Sequence, residues 1–273
     1  MQNVTQEANL PNGMKIFCLR KEEVPILYSQ IQEYLKNGIE LHEDDTVFDV
    51  GANIGLFTLW AYQLCNKKIH AYAFEPIPAV FEVLQANAQR FDPERIRVFP
   101  CGLSEKSGTF TFAYFPNATM LSTVYKADTQ ELREQIKQSA LRNLNSLPTS
   151  ARWIRWIPPI LRSFILDSKL GKAFQVEQVT CQLRTISEIM SENEIERIDL
   201  LKVDVEKSEL DVLLGIDQND WGKIRQVAVE IHDLESRVDK IRELLKNQGF
   251  SQITINQENS LEGSNIFNLY ALR

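Results

Sequence analysis

The stretch Val47-Phe-Asp-Val-Gly-Ala-Asn-Ile-Gly55 decides the fold of this chain. Its first residues are mostly apolar, which predicts a short buried strand. Gly51 and Gly55 frame a tight turn, and an apolar segment from Leu56 to Cys65 has the length and spacing of a helix. A buried strand that passes through a glycine turn into a helix is the opening unit of an α/β sheet, so we expect a ligand site at this turn.

Strand and helix patterns alternate through most of the remaining chain. The predicted strands lie at 69–75, 96–99, 198–205, 225–231, 251–255 and 265–272, and the predicted helices at 78–90, 186–192, 209–214 and 235–247. Repeated βα units predict an α/β, Rossmann-like fold with a mostly parallel, doubly wound sheet. The last two strands follow each other closely, so we expect them to form an antiparallel C-terminal edge.

Two segments lie outside this alternation. Residues 1–45 are predicted to form an N-terminal cap with a strand and a helix, before a main domain over 46–273. Residues at about 115–175 are predicted to form a helical insertion, in which Pro158-Pro159 interrupts an apolar helix. We interpret the insertion as a lid over the site, with plain hydrophobic core and a membrane-interfacial helix as the alternatives.

The composition is that of a soluble globular protein. The chain has 273 residues, and 30 Lys and Arg against 37 Asp and Glu give a net charge of −7, which argues against general nucleic-acid binding. Residues 133–172 differ, because eight basic and two acidic side chains leave that segment at +6. The four cysteines form no C-x-x-C pair, and neither a spanning apolar run nor a secretory signal occurs, so we expect a reduced, cytoplasmic setting.

The glycine turn carries the first chemical signal. Asp49 ends the predicted strand, and Gly51 and Gly55 have the spacing G-x-x-x-G instead of the G-x-G-x-x-G of a pyrophosphate cradle. A carboxylate at this point favours a cation, and the amino and sulfonium groups of S-adenosylmethionine are positive. Gly51 would let the backbone approach that ligand closely. The alternative is a tight turn that binds no ligand.

Acidic residues and a histidine follow three further predicted strands. Glu75 comes 26 residues after Asp49, where a carboxylate can accept hydrogen bonds from both ribose hydroxyls. Lys202, Asp204 and Glu206 alternate along another strand, and Glu230 and His232 end its neighbour. Histidine is the usual general base near neutral pH, so these groups predict proton transfer at the sheet edge. The alternatives are solvated carboxylates at helix N-termini and a structural histidine.

These residues resemble those of the FkbM family of S-adenosylmethionine-dependent O-methyltransferases. The matching elements are Phe48-Asp-Val-Gly-Ala-Asn-Ile-Gly-Leu-Phe57, Phe74-Glu-Pro76, Gly102-Leu-Ser104, Lys202-Val-Asp-Val-Glu206, Glu230-Ile-His232 and Asn268-Leu-Tyr270. The resemblance implies a class I methyltransferase fold and S-adenosylhomocysteine as a product. The cofactor-binding residues that it implies are Asp49, Gly51, Asn53, Gly55, Thr58, Glu75, Pro76, Gly102, Leu103 and Asp204.

A closer resemblance is to the O-methyltransferase domains of modular polyketide and nonribosomal peptide synthases. It rests on Tyr34-Leu-Lys-Asn-Gly-Ile-Glu-Leu41, Phe74-Glu-Pro-Ile-Pro78 and Tyr114-Phe-Pro-Asn-Ala118. It implies an acceptor that is a β-hydroxyl, or an enolised β-keto oxygen, of an acyl chain on a phosphopantetheine carrier protein. The basic insertion suits such an acidic partner. The residues expected to face the acceptor or form the lid are Tyr28, Tyr34, Asn117, Trp153 and Trp156.

The resemblance also implies roles in an in-line methyl transfer. We expect His232 to act as general base, Glu206 or Glu230 to orient its ring, and Asp204 to hold the cofactor's amino end or the acceptor hydroxyl. No metal is expected, although Asp204, Glu206 and His232 would be the ligands of a metal-assisted variant. One departure is Glu206-Lys-Ser-Glu209, where the family commonly has Glu-Gly-Ala-Glu.

Several alternatives remain open at the level of sequence. The acceptor could be a free small molecule or a sugar hydroxyl instead of a carrier-bound chain. The chain could also be a non-catalytic S-adenosylmethionine-binding domain, or a nucleotide-binding dehydrogenase that shares only the βα plan. The sequence determines neither the oligomeric state nor whether the protein stands alone or is a domain of a larger synthase.

Overall fold

The computed structural model describes residues 5–117, 137, 138, 141, 154–257 and 263–273. It divides into two compact units, which we call the sheet unit (Met1–Thr111 with Thr180–Arg273) and the inserted unit (Phe112–Val179). The first 45 residues therefore lie in the same unit as the sheet. Each unit is described by itself below.

The sheet unit is built on a central sheet that, in the described residues, has seven strands in the order β11-β12-β10-β9-β3-β4-β5. A hairpin, β1-β2, and a three-stranded sheet, β6-β8-β7, accompany it. The strands are β1 Gln6–Asn9, β2 Lys15–Cys18, β3 Thr46–Val50, β4 His70–Phe74, β5 Ile96–Phe99, β6 Cys101–Leu103, β7 Gly108–Tyr114, β8 Glu177–Arg184, β9 Leu200–Val203, β10 Gln226–His232, β11 Gln252–Asn256 and β12 Ile266–Leu272.

The strand order places a topological switch point beside the glycine turn. Strand β3 pairs in parallel with β4 on one side and with β9 on the other. Strand β10 continues the parallel set, and β12 is antiparallel to both β10 and β11. The carboxyl ends of β3, β4, β9 and β10 thus meet at one edge, where ligands bind in open α/β sheets.

Helices form where the apolar spacing predicts them. The helices of the sheet unit are α1 Val24–Gln30, α2 Leu56–Leu64, α3 Pro78–Phe91, α5 Ile186–Glu192, α6 Glu209–Leu214 and α7 Arg237–Asn247, and α4 Pro159–Ala173 belongs to the inserted unit. Helix α5 begins with a capping box between Thr185 and Glu188. The main core includes Phe48, Phe74, Leu201 and Ile231, all fully buried. Strand β9 is shorter than the expected 198–205, because the chain leaves the sheet after Val203.

The N-terminal segment is more elaborate than expected. A strand that the sequence pattern misses, β1, pairs with β2. The helix expected in this segment is α1 followed by a 3₁₀ helix over Ile31–Leu35, and Asn37 and Gly38 beyond it have left-handed backbone. The buried Asn87 of α3 joins this segment to the glycine turn, because its Nδ2 donates to the carbonyls of Phe17 (3.0 Å) and Ile54 (2.8 Å).

The inserted unit contains α4, which starts at the second proline of the Pro158-Pro159 pair as expected. Ile154 and Leu166 are buried together, whereas Trp156 keeps 79% of its surface exposed. Trp156 therefore does not belong to a core in this unit. Much of the predicted helical insertion, including Trp153, lies outside the described residues.

Candidate functional site

Gly51 lies in close contact with the loop that follows β9. It has φ +78°, and a Cβ at this position would lie 1.7 Å from the backbone oxygen of Asp204. This contact within the protein is a reason for glycine at position 51 that the sequence pattern did not indicate. Gly55, with φ +87°, opens α2 as its left-handed N-cap, and Asn53 between the glycines has φ 51°.

A buried ion pair lies directly beneath this turn. Asp49 is fully buried, and its Oδ1 lies 2.9 Å from Nζ of Lys202. The expected cation at Asp49 is thus the protein's own lysine. Oδ1 makes this ion pair but has no hydrogen-bond donor among the described residues. Its Oδ2 accepts a 2.6 Å hydrogen bond from the buried hydroxyl of Thr58.

Lys202 links this ion pair to the sheet edge. Its Nζ donates to the carbonyl of Gly51 (3.1 Å) and lies 3.6 Å from Oδ2 of Asp204. Burial acts to lower the pKa of Lys202, but Asp49 and Asp204 together outweigh burial and raise it above its usual value. The lysine is therefore a permanent internal cation between two carboxylates, which reduces the cost of burying Asp49.

Tyr34 of the 3₁₀ helix covers the same place. Its hydroxyl donates a 2.8 Å hydrogen bond to Oδ2 of Asp204, and its ring packs edge-on against Phe57 with centroids 5.6 Å apart. Burial, with Asp204 as the next cause, raises the pKa of Tyr34 well above its usual value, so the phenol stays neutral. A cavity of about 40 Å³ remains between Tyr34, the glycine turn, Lys202 and Asp204. This volume is far below the range of about 300–1,000 Å³ that is typical of ligand pockets.

Glu75 ends β4 next to the turn, where the sequence predicts a ribose contact. Its Oε2 accepts the backbone N–H of Asn53 (3.1 Å) and its Oε1 accepts that of Ile77 (2.9 Å). Each carboxylate oxygen has two acceptor sites, so one remains on each oxygen for a diol. Burial raises the pKa of Glu75 to about 7, although the two backbone donors act against that rise.

His232 ends β10 with a carboxylate at each ring nitrogen. Nδ1 lies 3.1 Å from Oε1 of Glu209, and Nε2 lies 3.3 Å from Oε2 of Glu206. Burial acts to lower the pKa of His232, but the hydrogen bond to Glu209 and the charge of Glu206 raise it overall. The ring is thus a buried base between two acids.

Glu206 is the more exposed of these two acids, with a third of its side chain open to solvent. Burial raises the pKa of Glu206 to about 7, where the charge of His232 opposes the rise and the charges of Asp204 and Glu209 support it. Glu206 and Lys207 both have positive φ, 51° and 82°. Such backbone is costly away from glycine and occurs in the turn where the family pattern has Glu-Gly.

The sequence patterns missed Glu209 and Arg237. Glu209 is fully buried at the first position of α6, and its Oε2 accepts a 3.1 Å hydrogen bond from Nη1 of Arg237, which begins α7. The expected orienting groups were Glu206 and Glu230, but Glu209 contacts Nδ1. The family pattern Glu-x-x-Glu pointed to Glu209, whereas nothing in the spacing pointed to Arg237.

The remaining predicted residues are in the sheet unit or in the inserted unit, and of these Glu230 acts by its charge on Tyr34 and Lys202. Leu103 packs into the main core, so its side chain is not open to a cofactor, and Gly102 is buried beside it in β6. Glu230, Pro76 and Tyr28 are half-buried in the sheet unit. Asn117 and Trp156 lie in the inserted unit, where Asn117 donates to Gln175 (3.3 Å).

The part of the chain that the structure describes contains neither a cluster of metal ligands nor a membrane-spanning helix. No group of three or more His, Cys, Asp or Glu side chains there could hold a metal ion. None of the described helices combines the length and hydropathy needed to cross a membrane. All four cysteines are buried free thiols.

The hydrogen-bond acceptors at the sheet edge fit S-adenosylmethionine better than a pyrophosphate. Three carboxylates, of Asp49, Glu75 and Asp204, surround the turn with one internal lysine, and the acceptor oxygen Oδ1 of Asp49 has no hydrogen-bond donor among the described residues. Carboxylates accept from ammonium and ribose hydroxyl donors and repel phosphate.

Comparison with known proteins gives a consistent result. Residues 49–251 match the model of the methyltransferase FkbM domain. The AMB antimetabolite synthetase AmbE of Pseudomonas aeruginosa is 35% identical over 98% of this chain, which spans only 12% of that synthetase. The 31-O-demethyl-FK506 methyltransferase FkbM of Streptomyces tacrolimicus is 32% identical, and the match covers 100% of this chain and 99% of that protein.

A solved structure supports the fold. The crystal structure of a methyltransferase FkbM from Methylobacillus flagellatus KT has a TM-score of 0.54 and 16% identity, with 89% of this chain and 47% of that chain covered. The predicted Rossmann-like class I methyltransferase fold and the resemblance to the family are therefore confirmed.

Proposed function

The chain belongs to the FkbM family of methyltransferases, and on this premise we propose that it is an S-adenosylmethionine-dependent O-methyltransferase with His232 as general base. The observation that carries this proposal is the position of His232 and Asp204 on the neighbouring strand ends β10 and β9, beside the Gly51–Gly55 turn. This arrangement supplies a base and a ligand-binding turn at one sheet edge.

Residues of the sheet edge are assigned to the cofactor by their remaining hydrogen-bonding capacity. When bound, S-adenosylmethionine supplies the methyl group, and S-adenosylhomocysteine is the product. Glu75 would accept the ribose hydroxyls, and Asp204, 30% exposed, would accept the amino group in place of Tyr34. Asp49 would act from beneath the turn through Lys202, since it is fully buried.

His232 is assigned to the acceptor because a neutral hydroxyl is a weak nucleophile. The acceptor oxygen gains the methyl group while its proton passes to Nε2 of His232, so that no charged alkoxide has to form first. Glu206 lies against Nε2 and is partly exposed, so it must turn aside or convey the proton. Asp204 is the other group that could hold the acceptor hydroxyl.

For the acceptor we propose a β-hydroxyl, or an enolised β-keto oxygen, on an acyl chain carried by a phosphopantetheine protein. Two observations support this choice: a segment of a much larger synthetase matches almost the whole chain, and residues 133–172 have a net charge of +6 that suits an acidic carrier. The match over the full length of a methyltransferase makes a free small molecule the second candidate.

The test is a methyl-transfer assay with labelled S-adenosylmethionine. A β-hydroxyacyl carrier protein, the same acyl group as a free acid, and a hexuronic acid are offered in parallel, and mass spectrometry locates the label. We expect transfer to an oxygen of the carrier-bound chain. Label on the free acid or the sugar would overturn the carrier assignment, and cofactor binding without any transfer would favour a binding domain.

The base assignment is tested with two histidine variants. His232→Ala should lower kcat by about 100-fold or more, as expected for the loss of a general base. The control is His42→Ala, since the side chain of His42 is 71% exposed and distant in sequence from the strand ends. An unchanged rate in His232→Ala would contradict the assignment.

A further inference from the structure

The two carboxylates at His232 are held very differently. Glu206 lies at a turn with a third of its side chain exposed, whereas Glu209 is fully buried. The Oε1 of Glu209, which faces Nδ1 of His232, also accepts a 2.7 Å hydrogen bond from the backbone N–H of Lys207. Glu209 is therefore fixed in the structure, and Glu206 has room to move.

Arg237 also holds the carboxylate of Glu209 in place. Its Nη1 donates to Oε2 of Glu209 (3.1 Å) and to the backbone carbonyl of His232 (3.3 Å). The guanidinium is cationic, so it compensates the negative charge of the buried carboxylate. Three elements thus meet around the imidazole: the end of β10 and the first turns of α6 and α7.

We propose that Glu209, held in place by Arg237, is the positioning residue for His232. Glu209 accepts the Nδ1–H of the ring, which makes Nε2 the nitrogen that takes a proton and directs it toward Glu206. This inference rests on the proposed function, in which His232 is the base. The acceptor proton ends on Nε2, and the resulting imidazolium lies between Glu206 and Glu209, with Asp204 as a further neighbouring carboxylate.

The competing explanation is purely structural. Glu209 could serve only to hold the turn over 206–208 through the N–H of Lys207, and a carboxylate is favourable at a helix N-terminus in any case. A structural role of this kind would affect folding but would leave the titration and tautomer of a folded His232 unchanged.

Nuclear magnetic resonance of histidine labelled with ¹⁵N separates the two explanations. The chain has only three histidines, so the signal of His232 is assigned by comparison with His232→Ala. The test variant is Glu209→Gln, which keeps the size and one acceptor oxygen but removes the charge. Glu243→Gln is the matched control, because Glu243 is an exposed glutamate on α7.

In the unmodified protein we expect the Nδ1–H tautomer and a pKa of His232 above 6.5. Glu209→Gln should lower this pKa by about one unit or more, since an opposite charge in contact is removed. The ascending limb of the pH profile of kcat should move in the same direction, with the KM of the acceptor unchanged. Glu243→Gln should change none of these values.

A folded Glu209→Gln protein with the tautomer and pKa of the original would overturn the proposal, even if its kcat had fallen. Should that variant not fold, Arg237→Gln is measured with Arg242→Gln as its exposed control, and a broadened or altered tautomer signal of His232 is expected. The spectra need neither cofactor nor acceptor. A failure to find methyl transfer would therefore count against the proposed function. It would not change the tautomer and pKa of His232 that the spectra give.

Discussion

The hydroxyl of Tyr34 donates a hydrogen bond of 2.8 Å to Oδ2 of Asp204, which lies 170 residues further along the chain. This contact holds the 3₁₀ helix over the glycine turn. Tyr34→Phe should remove about 1 kcal/mol of stability and speed hydrogen exchange in residues 24–35. Tyr28→Phe is the control on the preceding helix. Equal exchange in both variants would show that the contact does not hold the segment closed.

Removing one partner of the Asp49–Lys202 ion pair should strongly lower the stability of the fold. Lys202→Met leaves a fully buried carboxylate without its cation, so we expect the free energy of unfolding to fall by about 3–5 kcal/mol in urea denaturation. The double variant Asp49→Asn with Lys202→Met should recover a large part of this loss. Lys240→Met, at an exposed position, is the control, and strictly additive single effects would contradict a coupled pair.

Two glycine variants test the close approach of the turn to the loop after β9. Gly51→Ala would place a Cβ 1.7 Å from the carbonyl oxygen of Asp204 in a backbone with φ +78°, so we expect a loss of more than about 4 kcal/mol, or no folded protein. Gly108→Ala meets nothing within 4 Å and should be nearly neutral. Thermal melting compares them, and similar melting temperatures would refute the packing described here.

Glu75 should make stability depend on pH. Burial raises its pKa from 4.5 to about 7, so the folded state binds this proton more tightly than the unfolded state. Its stabilising contribution is present below about pH 4.5 and is lost as the pH rises through 7. Relative to Glu75→Gln, the unmodified protein should lose on the order of 3 kcal/mol across this window, at about 1.4 kcal/mol per unit of pKa.

The same glutamate gives a test of binding. Glu75→Gln should raise the Kd of S-adenosylmethionine, measured by calorimetry, by about 10-fold, since the amide keeps only one acceptor oxygen for the ribose hydroxyls. Glu94→Gln is the control, because Glu94 is exposed in the loop before β5. An unchanged affinity would place Glu75 outside the binding site, whereas the absence of a pH slope in the difference of stabilities would contradict only the raised pKa of Glu75.

The sequence predicted the fold well because the fold depends on periodicity. The strand over Thr46–Val50 and helix α5 over Ile186–Glu192 match the apolar pattern closely. Strand β1 was not predicted, because its sequence Gln-Glu-Ala-Asn has no apolar alternation. Its pairing with β2 determines its structure. Local spacing cannot report a strand that exists only through its partner.

The site was predictable in its location but not in its pairings. The motifs placed Asp204 and His232 at one edge, which the parallel register ensures. The motifs could not reveal that the cation at Asp49 is Lys202, or that Glu209 contacts the imidazole, since both depend on side chains that meet across separate elements. The contact between Gly51 and the backbone of Asp204 is of the same kind.

The joint between the N-terminal segment and the turn has a consequence for where the protein can be shortened. A chain that began at Thr46 would retain every strand of the central sheet. It would nevertheless lack the hydrogen bonds of Tyr34 to Asp204 and of Asn87 to Phe17. The ring of Phe57 would also lose its contact with Tyr34. Residues 46–273 thus contain the whole central sheet, but the cover over the glycine turn also requires the N-terminal segment.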